Sequence, residues 1–591
     1  MHRLMALAVA GTLLAGTAAN ADTPLTQPEI ASNRQDKPGW ATRHFAVAAA
    51  NPLAVEAGYK IVKAGGSAVD AAIAVQMVLT LVEPQSSGLG GGAFMLTFDG
   101  QKTAAWDGRE TAPAAARSDQ FMWPDGRPMT VSQAIVGGLS VGTPGVLAML
   151  AAAHREQGRL PWAKLFEPAI ALAEQGFAIS PRLYTLLKDE RALQGDAQAR
   201  AYFFDAQGQP WPVGHRLRNP ALAAVLKRIA AGGPEAFYRG PIAADMARRV
   251  SGNVRPGPLR EADLAGYEAK KVDALCADWR SYRICGMPPP SSGQLTIMQI
   301  LKMLEDVPGA LAAPASGKPE VGFLHRYAEA SRLAYADRAQ YIGDPAFVTA
   351  PGGNWQSLLD DSYLKSRAAL IGERSMPDPA AGQPRSSQTA YAPQAYQAEY
   401  GTSHISIIDA QGHAVAITTS VESGFGSRIM SDGGTGLVGG FILNNQMTDF
   451  SMSPNGTDGR PVANRLEPGK RPRSSMSPTL VFDAKSGRLL MSLGAPGGQV
   501  IIHYVAKTLI GTLAWGMDAQ RAVDLPNYGS INGPIFLEEG GFTPAVIKGL
   551  EALGHGVREV DLPSGIQAIE RSKTGWYGAA DPRREGIVKG D

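Results

Sequence analysis

Side chains able to do chemistry gather in one part of this chain. Gly401-Thr402-Ser403-His404 opens a strand with adjacent hydroxyls. Asn444-Asn445-Gln446-Met447-Thr448-Asp449-Phe450, Lys470-Arg471-Pro472-Arg473-Ser474-Ser475-Met476-Ser477-Pro478-Thr479 and Gly494-Ala495-Pro496-Gly497-Gly498 follow. These read as loops between strands, where a rigid scaffold usually presents its functional groups. Upstream, Asp107-Gly108-Arg109-Glu110-Thr111-Ala112-Pro113 adds a charged turn. Each segment alone also fits an ordinary loop, and spacing does not choose between the two.

Other chemistries have weaker signals. Gly138-Leu139-Ser140-Val141-Gly142 matches a nucleophile elbow by letter, but Thr143-Pro144 starts the following helix too late for one. Ser362-Tyr363-Leu364-Lys365 and Lys573-Thr574-Gly575 lack an intervening S-D-N, and such short patterns arise by chance. There are 9 His and no H-E-x-x-H, which argues against a zinc hydrolase, and neither metal nor cofactor is expected. The glycines of Ser86-Ser87-Gly88-Leu89-Gly90-Gly91-Gly92-Ala93-Phe94 lead into a strand without G-K-[ST], unlike a nucleotide cradle.

At ~150 residues per domain, 591 residues suggest about four domains' worth of chain. Hydrophobic residues at 44% against 19% charged describe a globular protein. Gly 68 and Pro 42 without a G-X-Y period imply many turns. Lys+Arg 56 against Asp+Glu 54 leaves +2, too little field to expect nucleic acid as a partner. Met1-His2-Arg3, the apolar run Leu4 to Leu14 and Ala19-Asn20-Ala21 read as a signal peptide over 1–21, cut after Ala21. The implied location is periplasmic or secreted. The run falls short of the ~18 apolar residues a span needs, so no membrane partner is expected. Export would allow Cys276 and Cys285, which flank a hairpin pattern centred on Arg280/Ser281, to form a disulfide; two buried thiols are the alternative.

The positioning elements can be read coarsely. Asn51-Pro52 opens a helix closed by Gly65-Gly66, and Ser67-Ala68-Val69-Asp70 caps a second, almost wholly apolar helix ending before Glu83-Pro84. Helical patterns run through 145–375, for example Pro144 to Gln157 and Gly322 to Tyr335. Residues 376–400, rich in Pro, Ala, Gln and Tyr, read as a linker or exposed tail. Beyond them His404–Ile408 and Ala414–Ser420 form a hairpin, more strands follow to Leu493, and a helix covers about Ile501 to Trp515.

Together these motifs resemble the gamma-glutamyltranspeptidases, or glutathione hydrolases. Ala49-Ala50-Asn51-Pro52-Leu53-Ala54, Gly142-Thr143-Pro144-Gly145, Pro288-Pro289-Pro290-Ser291-Ser292-Gly293 and Gly578-Ala579-Ala580-Asp581-Pro582-Arg583 carry the likeness through nearly the whole chain. The resemblance implies an α+β fold, a four-layer αββα sandwich of the N-terminal nucleophile hydrolase type. It also implies a proenzyme that cuts itself once, at Gly401–Thr402. A large subunit, 22–401, and a small one, 402–591, would form one interlaced heterodimer. Thr402 would attack the Gly401 carbonyl, and water would open the resulting ester. The freed α-amine, with a pKa of about 7.7–8.0, would then serve as the base for a γ-glutamyl acyl-enzyme passed to water or to an acceptor amino acid or peptide. By resemblance Ser420 holds the nucleophile, and Gly497 and Gly498 supply the oxyanion hole. Arg109, Ser474 and Ser475 take the glutamyl α-carboxylate, and Gln446 and Asp449 its α-amino group.

Departures from the pattern bear on the substrate. Glu422 stands where the family usually has an asparagine that touches the α-amino group; it either binds the ammonium or pairs with Arg428. Arg473 replaces an apolar residue. Only 19 residues separate Phe450 from Lys470, and the aromatic residue of the family's lid is missing, which implies a more open pocket. Pro526-Asn527-Tyr528 also differs. These features are similar to the cephalosporin (glutaryl) acylase branch, so such an acylase is the alternative to glutathione hydrolysis. An uncleaved γ-glutamyl-binding protein is a third reading, and the intact Gly401-Thr402 junction argues against it.

Overall fold

The computed structural model describes residues 34–386, 390–399 and 401–591. The expected signal peptide and its cut after Ala21 lie outside them. Two seven-stranded antiparallel sheets form the centre. The first runs, in order, Trp40–Thr42, Trp576–Ala580, Gln567–Arg571, Leu489–Gly494, Thr479–Asp483, Tyr282–Gly286 and Leu275–Trp279. The second runs Ile587–Gly590, Ala46–Ala49, Ser403–Ile408, Ala414–Ser420, Gly92–Phe98, Thr103–Gly108 and Lys270–Asp273. Both sheets mix strands from either side of Gly401–Thr402, so neither side could keep its sheets without the other.

Face-to-face packing sets the hairpin Ser403–Ile408/Ala414–Ser420 against Leu489–Gly494 and Gln567–Arg571. Ser492 Oγ bridges the sheets, donating to Ser406 Oγ at 3.0 Å and to the Val415 carbonyl at 3.2 Å. Helices cover the outer faces. Pro52–Lys63, Ala68–Val82 and Val146–Gln157 bury their apolar residues with the second sheet. Gly293–Asp306, Val321–Tyr341 and Ile501–Leu509 pack with the first. The four-layer αββα arrangement is the expected one.

Local signals explain several elements. Asn51 accepts from Leu53 N at 2.9 Å ahead of the N1 proline. Ser67 and Asp70 close a reciprocal capping box, and all residues of Ala68–Val82 are buried, as a helix without a polar face requires. Asp70 also accepts from Arg159 N at 2.9 Å and Leu160 N at 3.0 Å, fixing the next segment to this helix start. The Gly578–Arg583 motif is a latch: Arg583 holds Glu538 at 2.6 Å and Asp581 at 3.1 Å. Asn527, within the departing Pro526-Asn527-Tyr528, accepts from buried Lys507 at 2.8 Å and donates to the Leu562 carbonyl at 2.8 Å.

Two expectations change. The helix expected to reach Trp515 ends as an α-helix at Leu509 and continues as a π-turn over Ile510–Ala514. The described part of 376–400 is not wholly an exposed tail: Ala392, Gln394 and Gln397 are buried and Gln499 Nε2 donates to the Gln397 carbonyl, while Tyr396 is exposed. The physical reason is polar pairing. Amides and backbone of this Gln-rich stretch find partners in the loops around Thr448 and Asn464, so composition that suits solvent also suits a hydrogen-bonded groove.

Cys276 and Cys285 are directly opposite on Leu275–Trp279 and Tyr282–Gly286 and form a disulfide, with Cα atoms 4.0 Å apart. Thiol titration in denaturant is therefore expected to count none before reduction and two after it, the sequence holding Cys 2. Cross-linking a loop this short stabilises by about 2–3 kcal/mol in the chain-entropy picture, so for a chain of this size reduction lowers the melting temperature by only about 2 °C.

Candidate active site

Thr402 immediately precedes the central strand Ser403–Ile408 and is 2% exposed. The antiparallel register pairs Ser403 with Thr419, which carries Ser420 alongside Thr402. Their hydroxyls converge on one oxygen: Thr402 Oγ1 donates to the Gly401 carbonyl at 2.6 Å and Ser420 Oγ at 2.7 Å. Glu422 N donates to Ser420 Oγ at 2.7 Å, which fixes Ser420 as the donor toward Gly401. The carbonyl that a Thr402 attack would convert to an ester is thus already polarised. Gly91 explains the glycine run read earlier. A Cβ there would lie 2.1 Å from the Ser420 carbonyl oxygen, so bare backbone is needed to seat this strand end.

His404 is not a base for this hydroxyl. Its ring is buried against Thr418 Oγ1 at 2.9 Å and Ser406 Oγ at 3.0 Å, and desolvation lowers its pKa to about 3. Gly498 lines the same cleft as Thr402. Gly497 precedes it with φ 131°, and a Cβ on Gly497 would meet the Tyr504 ring at 2.6 Å. Both glycines lie at the entry to helix Ile501–Leu509, where backbone N–H groups point outward.

Arg109, Glu422, Gln446, Asp449, Ser474 and Ser475 all reach the cleft. Arg109 is 1% exposed; it donates to the Pro472 carbonyl at 3.2 Å, to the Arg473 carbonyl at 3.0 Å and to Asp449. Gln446 Nε2 donates to Asp449 Oδ2 at 2.8 Å. Gln446 Oε1 and Asp449 Oδ1 are buried acceptors with no hydrogen-bond partner among the described residues, a pair suited to an ammonium donor. Burial, opposed by Arg109 and reinforced by Glu399, raises Asp449 to about 6.

Of the two readings of Glu422, the ion pair with Arg428 gives way. Arg428 is directed at Glu190 at 2.8 Å and at Ser423 Oγ at 3.1 Å, and acts on Glu422 only as a more distant charge. Glu422 faces the cleft at φ 78°, accepting from Asn445, and burial followed by the charge of Asp449 pushes its carboxyl well above the usual range. Its protonated form, which can donate as well as accept, is favoured by this burial.

Two residues that sequence reasoning passed over belong here. Glu399 lines the cleft, and Arg338, from helix Val321–Tyr341, holds it at 2.6 Å. No short motif marked either one: Arg338 lies just past the helical pattern of Gly322 to Tyr335, and Glu399 lies in the stretch read as a linker or exposed tail. The other rejected patterns are structural. Ser140 Oγ donates to the Ile135 carbonyl at 2.6 Å and is buried. Among the described residues, His325, Glu329 and His555 form one cluster of ligating types. His325 Nε2 meets the Gly372 carbonyl at 2.9 Å and its Nδ1 meets His555 Nε2 at 2.7 Å, while Glu329 takes Met376 N at 2.8 Å and Arg332 at 3.2 Å. Hydrogen bonds account for these donors and acceptors, so the cluster reads as a tether between the two portions of the chain.

Comparison with known proteins agrees with this geometry. The gamma-glutamyltranspeptidase family model matches residues 54–590. The glutathione hydrolase proenzyme of Escherichia coli (strain K12) is 36% identical over 550 residues, 91% of this chain and 90% of that protein. The acylase ACY 1 proenzyme of Pseudomonas sp. (strain V22) is 33% identical over 576 residues, 96% and 97% of the two chains. Among solved structures, a cephalosporin acylase from Bacillus halodurans superposes with a TM-score of 0.81 at 26% identity, covering 96% of this chain and 99% of that one. The gamma-glutamyltranspeptidase of Helicobacter pylori gives 0.51 at 33% identity, covering 56% and 92%. With Thr402 at a strand start between two stacked antiparallel sheets and a family match spanning residues 54–590, this chain is a member of the gamma-glutamyltranspeptidase family.

Proposed function

We propose that this protein is a glutathione hydrolase and gamma-glutamyltransferase, made as a proenzyme that cuts itself at Gly401–Thr402. The observation that carries the reading is the convergence of the Thr402 and Ser420 hydroxyls on the Gly401 carbonyl. Attack by Thr402 Oγ transfers the acyl group from nitrogen to oxygen, and water then opens the ester. The 402–591 portion is left with a free α-amine. That amine, with a pKa of about 7.7–8.0, takes the hydroxyl proton in each later turnover. The same oxygen attacks the γ-carbonyl of glutathione or another γ-glutamyl compound, with Gly497 and Gly498 placed for the oxyanion. Water or the amine of an acceptor amino acid or peptide resolves the acyl-enzyme. In this reading Ser474 and Ser475 serve the donor's carboxylate, Gln446 with Asp449 take its ammonium, and Arg109, which donates to Asp449, acts from beside them. Export of a heterodimer of 22–401 and 402–591 to the periplasm or beyond completes the proposal.

The likeness to acylases supports a second reading, cleavage of glutaryl-type amides. The substrate's α-amino group separates the two. The unpartnered Asp449 and Gln446 oxygens favour a substrate that carries it, because a buried acceptor left without a donor is costly.

On a denaturing gel the wild type is expected as chains of 380 and 190 residues, counted from 22–401 and 402–591, and Thr402→Ala as one uncut chain. A single wild-type band rejects self-cleavage. With γ-glutamyl and glutaryl anilides as substrates, the mature enzyme is expected to prefer the former, and a strong preference for the glutaryl compound would overturn glutathione in favour of the acylase. Asp449 must be ionised to hold an ammonium, and its pKa is raised to about 6. That value belongs to the uncut chain, where the charge of Glu399 contributes to it, so in the mature enzyme KM for γ-glutamyl donors falls as pH rises through a value no higher than about 6 and levels off above it. Asp449→Asn removes that limb and raises KM by roughly 100-fold, the loss of a buried charge-assisted contact of about 2–3 kcal/mol.

A further inference from the structure

Glu399, three residues before Thr402, places a carboxylate inside the cleft meant for substrate, with its side chain 9% exposed. Arg338 donates to one of its oxygens at 2.6 Å and Ser475 Oγ to the other at 2.6 Å. Arg338 is itself fixed, donating to Ser292 Oγ at 2.8 Å and to Ser475 Oγ at 2.7 Å. Burial works against the ionised form, but Arg338 and Arg473 outweigh it and hold Glu399 below the usual carboxylate range, so an anion fills this place.

Arg109 does not hold that anion. Its Nε and Nη2 donate to Asp449 and to the Pro472 and Arg473 carbonyls, and its Nη1 lies 3.7 Å from Glu110. Arg473 lies beside Arg338, donating to its carbonyl at 3.2 Å, and its buried Nε has no partner among the described residues. If Glu399 withdrew after scission, Arg338 and Arg473 would be left as neighbouring buried cations with only Asp449 as a nearby negative charge on Arg473, an unfavourable state. A carboxylate of similar reach fits the vacated place.

We propose that Arg338 and Ser475 form a carboxylate-binding subsite of the mature enzyme, that the chain's own Glu399 fills it before scission, and that the donor's carboxylate takes it over when the segment ending at Gly401 withdraws. The proposal rests on the γ-glutamyl reading for the identity of that donor. Arg338 thereby becomes a binding residue for the reaction, and the uncut chain is closed to substrate by a group of its own.

The test is calorimetric titration of L-glutamate and of glutarate into the uncut Thr402→Ala protein and into Thr402→Ala/Glu399→Ala, each checked by its melting curve. The double variant is expected to bind L-glutamate at least tenfold more tightly. Glu399→Gln, which keeps the side chain's size without its charge, is expected to give part of the gain, and adding Arg338→Gln to remove it. Equal binding by single and double variants, or a gain that survives Arg338→Gln, overturns the proposal. Because glutarate lacks the amino group, a gain for glutarate upholds the subsite even if the wild type ignores γ-glutamyl anilides, in which case only the γ-glutamyl reading fails.

Discussion

One carbonyl oxygen, that of Gly401, accepts two hydroxyl hydrogen bonds, and most of the architecture serves to hold it there. Thr402 reaches it because it begins a central strand; Ser420 reaches it because it ends the neighbouring one. An antiparallel pair brings the start of one strand beside the end of the next, so the two groups meet without any loop having to place them. The strands are buried on both faces, by the opposing sheet on one side and by Pro52–Lys63 and Ala68–Val82 on the other. That packing is what makes a small displacement of Ser420 costly.

Around this oxygen the cleft is a closed set of charges. Arg109, Arg338 and Arg473 face Asp449 and Glu399, while Glu422 and Glu110 are pushed toward their protonated forms by burial, Glu110 to about 8. In so little water each charge is stabilised only by its partners. A set balanced by a residue of the cleaved segment is balanced for the precursor. The same set, with that residue gone, is prepared for a zwitterion. The departure at Arg473, inexplicable as packing when read from sequence, has this electrostatic setting.

Legibility differed by element for physical reasons. The caps at Asn51 and Ser67, the hairpin of 404–420 and the opposed cysteines were readable because each depends on residues close in sequence and on chain geometry. Thr402, Arg109, Gln446, Asp449, Ser474 and Ser475 were legible only through resemblance, since a hydroxyl or amide on a loop has no local signature. Glu399 and Arg338 were missed altogether. One sits in a stretch whose composition reads as a linker or exposed tail, the other just beyond a helical pattern read only as helix. That helix is buried along most of its length, and its Arg338 head group reaches Glu399 and Ser475 at the cleft.

The sequence by itself determined the helices and hairpins, the Gly-Thr junction, and the absence of any large net charge, because these follow from local propensity and counting. Which hydroxyl faces which carbonyl, which cation holds which carboxylate, and whether Glu422 pairs with Arg428 were decided only by the tertiary structure. Several of those contacts join residues far apart in the sequence, Arg109 with Asp449 by 340 positions and Ser292 with Ser474 by 182. Their strength depends on burial, which no stretch of sequence carries until two sheets have closed over it.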